Sequence, residues 1–422
     1  MAVIKFRNPN SVFSPDSEYE DYDEQDTGDE GQSFIDEEIE DSENSRKRRR
    51  EILRLLLQWA LVVGVVLAFA GLLQFLSSQR VYSGAVVSQV KEMTSQNDTE
   101  FISLGNNIVY YSKNGANCLD PSGDLVWSIS FELQKPLVSR NGDILAIADY
   151  NGSTIYLQNA AETIGSVNTN MPIRAMSVSE SGEVAAVLAD TDVTWVYLFD
   201  SSGNTIAYFK TTMGQSGYPL SVSISPGGEL VCVSHLLVSS TGTSSSVAFY
   251  NFGAIGQNVA ENNVSGFNYD NEIFPFTTFL SNSSCAAVSD SRIVFFSGKE
   301  IPQSGANAMF TDELEGVYTG NGYIGLLFPD NSSSARHNLQ IYNASGEKIS
   351  TISFEMEFTD IQIAGKNVYI NNDQQLQLYT VEGKERYHGS FDHDVREVVP
   401  RADGTGKMYL IAEDGIEQLT LR

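Results

Sequence analysis

The chain has 422 residues and a formal net charge of −28, from 26 Lys and Arg against 54 Asp and Glu. That balance excludes a nucleic-acid partner, because phosphate binding draws on clustered Lys and Arg. Three well-separated cysteines, Cys118, Cys232 and Cys285, form no CxxC or Cys/His spacing, which excludes a cysteine-ligated zinc site and permits at most one disulfide. They are expected to be small buried hydrophobes on strands.

Residues 1–45 carry 15 acidic and 2 basic side chains with few branched apolar residues, so a disordered acidic cytoplasmic tail is expected there. Tyr19, Tyr22, Phe34 and Ile35 are the points at which such a tail could dock an internal partner. The domain that follows, residues 46–80, opens on the basic run RKRRR. Arg46, Lys47, Arg48, Arg49, Arg50 and Arg54 precede 22 residues, Leu55 to Leu76, that hold no formal charge. At about 1.5 Å per residue, such a helix would reach across a hydrocarbon core of about 30 Å. The Lys/Arg excess on its amino-terminal side predicts a cytoplasmic amino terminus and an external remainder, with membrane lipid as the partner of the basic cluster and the helix. The leader is too long, and the apolar run too extended, for a cleaved signal peptide, so an uncleaved signal anchor is expected. A large external chain with only three cysteines fits a bacterial surface better than an endoplasmic reticulum product.

Residues 81–99 read as a linker or a closing strand, with Val86, Val87 and Val90 fitting a short strand and Ala85, Gln89 and Met93 a helical stalk. From residue 100 to 422 the chain repeats itself. An apolar stretch, a tight turn and a strand recur near Gly105, Gly142, Gly182, Gly228, Ser284, Gly322, Gly365 and Gly406, about 40 residues apart except for the longer step from Gly228 to Ser284. A second strand and turn follow each, as in TWVYLFDSSGNTIAYFK and LQLYTVEGKERYHGSF. Four short strands per unit without helices predict an all-β fold, an extracytoplasmic β-propeller of eight blades, with seven as the alternative. The last unit supplies only three strands before Arg422. Val81 to Val90 is the expected donor of the fourth, closing the ring and holding it near the membrane.

The segment SGDLVWSIS, Ser122 to Ser130, with Gly123 followed by Trp127, resembles the repeat of quinoprotein-type (PQQ-like) and WD40-like propellers, and SGNTIAYFK and SGEKISTISF are versions lacking the tryptophan. The whole layout resembles an uncharacterised family of single-pass membrane proteins of Gram-positive Firmicutes. The resemblance implies fold and location only. No adjacent cysteine pair of the quinone-dependent enzymes is present, so no cofactor and no catalytic residue are carried over.

Little chemistry is visible otherwise. His388 and His393 with Asp392 and Asp394, in HGSFDHDVRE, form the densest set that could bind a divalent metal, although solvated turn residues explain it as well. His235, inside VCVSHLLVSS, is expected to be a satisfied strand residue. The turns at Asp120 and Asp200 resemble ordinary type I turns more than calcium loops. Sequons at Asn97, Asn151, Asn263, Asn282, Asn331 and Asn343 are glycan sites in a eukaryotic chain and plain turns in a bacterial one. The expected function is therefore non-catalytic: a membrane-anchored binding or scaffold protein presenting its propeller to a protein or glycan partner. The alternative is an extracytoplasmic enzyme, glycan-active or quinone-linked, with its site in the central channel. Aromatic residues gathered on one rim would favour binding, and ionisable residues converging in the channel would favour the enzyme.

Overall fold

A computed structural model describes residues 54–69, 80–93, 98–191, 193–212, 214, 216–240, 242–330, 335–402 and 406–422. The acidic tail and Arg46 to Arg50 lie outside these residues. The chain divides into two units, Met1–Ser77 and Ser78–Arg422. In the first, residues 54–69 are helical. No helix among the described residues is long and apolar enough to cross a membrane, and the rest of the expected span, 70–76, lies outside them.

In the second unit, 32 described strands form eight four-stranded antiparallel sheets, seven of them from four consecutive strands and the last from the final three strands with the first strand of the unit. The blades run over residues 100–130, 136–168, 173–211, 218–270, 276–309, 316–354, 360–390 and 395–421, and are numbered 1 to 8 in that order. First strands of consecutive blades pack side by side from blade 2 to blade 5, from blade 6 to blade 8 and from blade 8 to blade 1, and so lie innermost. Second strands such as Ile144–Asp149, apart from its last residue, and Val184–Ala189 are continuous apolar runs because blades cover them on both faces. Apolar side chains gather into eight clusters, one at each junction between consecutive blades. At the junction that closes the ring, Phe101, Ile108 and Leu119 of blade 1 meet Val399, Tyr409, Ile411 and Ile416 of blade 8.

The anchor glycines owe their recurrence to one turn. Gly105, Gly142, Gly182, Gly228, Gly322, Gly365 and Gly406 all lie between the first and second strands, with φ from 54° to 94°, a region that costs side chains bearing a Cβ. The long step from Gly228 to Ser284 belongs to blade 4 alone. Its second and third strands, Leu230–Ser239 and Gly242–Asn251, have 10 residues each, and two 3₁₀ turns, Gly256–Asn258 and Ala260–Asn262, precede its outer strand. The ring therefore has eight blades, and the irregular spacing is an elaboration of one of them.

The strand expected over Val81 to Val90 forms as Ala85–Glu92 and pairs antiparallel with Gly415–Leu421, Ala85 opposite Leu421, as the outer strand of blade 8. Residues ahead of it are fastened too. The Tyr82 N–H donates to the Arg386 carbonyl at 2.7 Å, and Ser83 N–H to the Arg422 carbonyl at 2.8 Å. Tyr82 is buried between blades 7 and 8. The Arg386 guanidinium lies 5.0 Å from the centre of its ring and donates to its hydroxyl at 3.1 Å, to the Arg80 carbonyl at 3.0 Å and to Asn367 Oδ1 at 2.7 Å.

Trp127 is a packing residue. It is buried, and its Nε1–H crosses from blade 1 to the Asn159 carbonyl of blade 2 at 2.8 Å. Trp127→Phe leaves that carbonyl short of a donor and opens space beside it. A denaturant midpoint corresponding to a loss of about 1–2 kcal/mol is expected.

Candidate functional site

Because every blade repeats one strand order, the eight inner strands run in the same direction and their first residues share one face of the ring, called here the leading face. Connections between blades, and those between second and third strands, reach the same face. Two constellations lie on it.

The first is a groove of about 570 Å³ across blades 2 to 4. Arg174, the second residue of its inner strand, and Tyr218, the first of the next, stand beside Tyr150 and Asp190. The Arg174 guanidinium lies 5.2 Å from the centre of the Tyr150 ring and donates to Asn151 Oδ1, while Lys135 approaches the same ring at 5.0 Å. Two cations on one aromatic ring, with Asp190 in the same groove, give this spot charges of both signs. Thr194 and Thr211, cross-strand partners, complete one wall. From that wall an aromatic ladder descends the outside of blade 3. Tyr208 stacks on Tyr197 at 5.0 Å and meets Trp195 edge-on at 5.8 Å, with Tyr208 59% exposed.

The second constellation is acidic and spans blades 7, 8 and 1. Asp360 and Glu100 are the first residues of their inner strands, and Glu397 is the third of the strand between them. Gln362 donates to Asp360 Oδ2 at 2.6 Å and to the Val398 carbonyl at 2.8 Å, tying blade 7 to blade 8. Burial pushes the Glu397 carboxyl up to about 8; the Asp360 and Glu100 carboxylates push the same way, against Arg396 and the Phe101 amide. Arg396 itself donates to the Thr99 carbonyl. Tyr111, directly opposite Glu100 in the sheet, is pushed up to about 12 by burial and then by Glu100 and Glu397. A cavity of about 380 Å³ opens beside this pair, with Thr99, Tyr110, Asn114 and Met93 among its walls.

Sequence inspection did not single out these inner-strand acids. The segments TEFISL and TDIQIA place an acid at the first position of the inner strand, and VREVVP places one two residues further in. An alignment of the repeats on their anchor glycines carries this signal, but the acids are not adjacent in sequence, and only ring closure brings blade 1 beside blade 8.

The residues that sequence inspection did single out are not gathered into a centre. His388 Nδ1 lies 3.5 Å from Glu385 on the outer strand of blade 7, and His393 Nε2 lies 3.1 Å from Glu417 of blade 8. Asp392 and Asp394 are exposed on the connection between these blades. Among the described residues, no three His, Cys, Asp or Glu side chains are placed to hold one metal ion. Of the basic cluster, only Arg54 is described. His235 is buried, but it is not fully satisfied: its Nε2 has no partner among the described residues, and burial pushes its pKa down to about 4. Cys118, Cys232 and Cys285 are buried free thiols on strands. Asp120 and Asp200 cap their own turns: each Oδ1 accepts two backbone N–H groups, from Ser122 and Asp124 and from Ser202 and Asn204. Of the sequon asparagines, Asn343 accepts the Ser345 N–H within its own turn, Asn151 accepts from the Arg174 guanidinium, and Asn282 accepts the Gly227 N–H of the preceding blade, while Asn97 and Asn331 lie outside the described residues.

Fold and site together define an eight-bladed β-propeller with a polar, aromatic-lined groove across blades 2 to 4 on one face. Residues 78–421 match a family of unknown function, DUF5711, and the chain belongs to that family. No curated protein sequence matches it. Among solved structures it is similar to the computationally designed Ika8 protein, with 10% identity, a TM-score of 0.53, and 79% of this chain and 100% of that one covered. It is also similar to Sqt1 of Saccharomyces cerevisiae (9% identity, TM-score 0.48, 81% and 99% covered) and BamB of Moraxella catarrhalis (12% identity, TM-score 0.46, 79% and 99% covered).

Proposed function

We propose that this protein is a single-pass membrane-anchored binding module, with its amino terminus in the cytoplasm and its propeller outside, that holds a protein or glycan partner on the leading face. The groove at Tyr150, Arg174, Asp190 and Tyr218 carries the binding role. It combines aromatic faces, both signs of charge and threonine hydroxyls on rigid strand ends, which suits recognition of a polar ligand. The aromatic ladder at its margin extends the surface a partner could cover. The anchor is supported by the helix at 54–69. Its Leu, Val, Trp and Phe side chains are 49–68% exposed on all sides, a surface that water disfavours and hydrocarbon accepts. The run of Arg and Lys just before it favours the cytoplasmic orientation and contact with anionic headgroups. The acidic tail is the element available to a partner inside the cell.

The test uses the full chain in lipid nanodiscs, screened against bacterial envelope polysaccharides and secreted proteins. Tyr150→Ala and Arg174→Ala are expected to weaken the selected partner about tenfold each, without moving the melting midpoint. Undiminished binding by both variants would show that recognition lies elsewhere.

One observation favours a second reading, an enzyme acting at the channel. A carboxyl held near 8 beside two further carboxylates is an arrangement used for proton transfer. That reading requires turnover of an envelope glycan that Glu397→Gln abolishes.

A further inference from the structure

Cys232 and Cys285 occupy facing positions at the junction of blades 4 and 5. Each lies on the second strand of its blade, and both are buried in one apolar cluster, at 0% and 1% exposure. Cross-strand register fixes how they meet. Phe249 lies directly opposite Cys232, while Phe279 and Phe296 lie directly opposite Cys285 on its two sides. The Phe249 ring reaches across the junction to both, 5.0 Å from Phe296 and 6.3 Å from Phe279. On the inner side, Ser223, the other cross-strand neighbour of Cys232, donates to Thr277 of blade 5 at 3.3 Å. Contacts between the two blades therefore flank Cys232 on both sides, and the outer ones surround Cys285.

We propose that Cys232 and Cys285 are a paired-thiol site that closes to a disulfide joining blade 4 to blade 5 when the junction forms or opens in the presence of a disulfide oxidant. Facing strands of two packed sheets can be bridged in this way, as in the inter-sheet disulfide of antibody domains. The step is a thiol–disulfide exchange. One cysteine thiolate attacks a sulfur of the oxidant, forming a mixed disulfide and releasing one reduced thiol. The second thiolate attacks the protein sulfur of that mixed disulfide and releases the other. Two protein thiols are oxidised, one oxidant disulfide is reduced, and the two protons end on the released thiols. In the closed junction, burial and then the neighbouring Cys285 push the Cys232 thiol well up, against Thr277 and Ser223, so the exchange belongs to folding or to transient opening.

The position suits a staple. Cys232 and Cys285 stand 53 positions apart, and the stretch between them holds the 10-residue third strand and both 3₁₀ turns of blade 4. Closing a long loop restricts the unfolded chain more than closing a short one. Cys118 lies at the junction of blades 1 and 2 and serves as the control. The inference goes beyond the binding reading and uses none of the groove residues.

In the experiment, the full chain in nanodiscs is incubated with oxidised glutathione a few degrees below its melting midpoint, then unfolded, alkylated and digested for mass spectrometry. A linked pair of peptides carrying Cys232 and Cys285 is expected, with Cys118 alkylated. The oxidised chain should melt about 5 °C higher, and dithiothreitol should return it to the starting value. Cys285→Ser should abolish both the linkage and the rise, whereas Cys118→Ser should keep them. Alkylation of all three cysteines, a linkage through Cys118, or glutathione left on Cys232 or Cys285 without linkage would each overturn the proposal, as would an oxidised chain that melts no higher than the reduced one. If Cys285→Ser does not fold, the peptide map and the dithiothreitol reversal decide the matter on the parent alone. Tyr150 and Arg174 enter none of these results, so the groove reading stands or falls separately.

Discussion

Glu397→Gln is expected to raise the melting midpoint by about 3–6 °C at pH 8.5 and to leave it nearly unchanged at pH 5. The sign follows from proton binding. The folded chain holds the Glu397 proton up to about pH 8, whereas the unfolded chain loses it near the ordinary value of 4.5. Between those values the folded state binds more protons than the unfolded state, so stability falls as pH rises through the window, by about 1.4 kcal/mol per unit at most. Partial solvation reduces the total to about 2–3 kcal/mol at pH 8.5. Glutamine resembles the protonated acid and carries none of this penalty. His235 acts in the opposite sense: its folded value near 4 lies below the ordinary 6.5, so its contribution is complete above pH 6.5 and is lost as pH falls toward 4. The two oppose each other between about 4.5 and 6.5, and the alkaline limb above 6.5 belongs to Glu397. A midpoint that rises with pH from 7 to 8.5 in the parent, or that Glu397→Gln fails to raise, would falsify this assignment. A side chain that destabilises its own fold at neutral pH and whose replacement strengthens it is the pattern expected of a binding group rather than a structural one.

The blades were legible in the sequence because one local requirement repeats. A left-handed turn between the first and second strands favours glycine, and seven of the eight anchors are glycine at positive φ. Second strands such as ILAIAD and VAAVLA announce burial on both faces by composition alone. The blade count was less secure, because the ten-residue strands and 3₁₀ turns of blade 4 disturb the spacing without adding a blade. The site was harder still. Glu100 and Glu397 are 297 positions apart and become neighbours only when the ring closes. His388, His393, Asp392 and Asp394 are close in sequence, yet their strand and connection turn them toward separate carboxylates. Proximity along the chain was the wrong measure in a fold whose inner ring joins residues one blade apart. Tyr82 and Arg386 escaped notice for the same reason.

Removing the closing strand is expected to have the largest effect of any change to the propeller. A chain beginning at residue 97 lacks Ala85–Glu92 and leaves Gly415–Leu421 as an open edge. It also loses Tyr82 from the junction of blades 7 and 8, strands the Arg386 guanidinium without two of its acceptors, and withdraws Val90 from the junction of blades 8 and 1. The lost apolar burial and ladder hydrogen bonds together amount to on the order of 5 kcal/mol. Compared with a chain beginning at residue 78, its midpoint should fall by about 10 °C, and it should associate through the exposed edge. Adding a synthetic peptide of residues 80–93 should restore much of the difference by strand addition, in a concentration-dependent way. In the uncut chain, Arg386→Ala should cost about 2–4 kcal/mol, because it orphans buried groups on both sides of the seam. Similar melting of the two chains, with no response to the peptide, would mean that the inter-blade clusters alone hold the ring. The strand would then be a passenger, and only eight residues separate it from the apolar run ending at Leu76. If instead the peptide rescues the truncated form, the ring is completed by the segment that directly precedes it in sequence, with the Tyr82–Arg386 contacts as part of that seam.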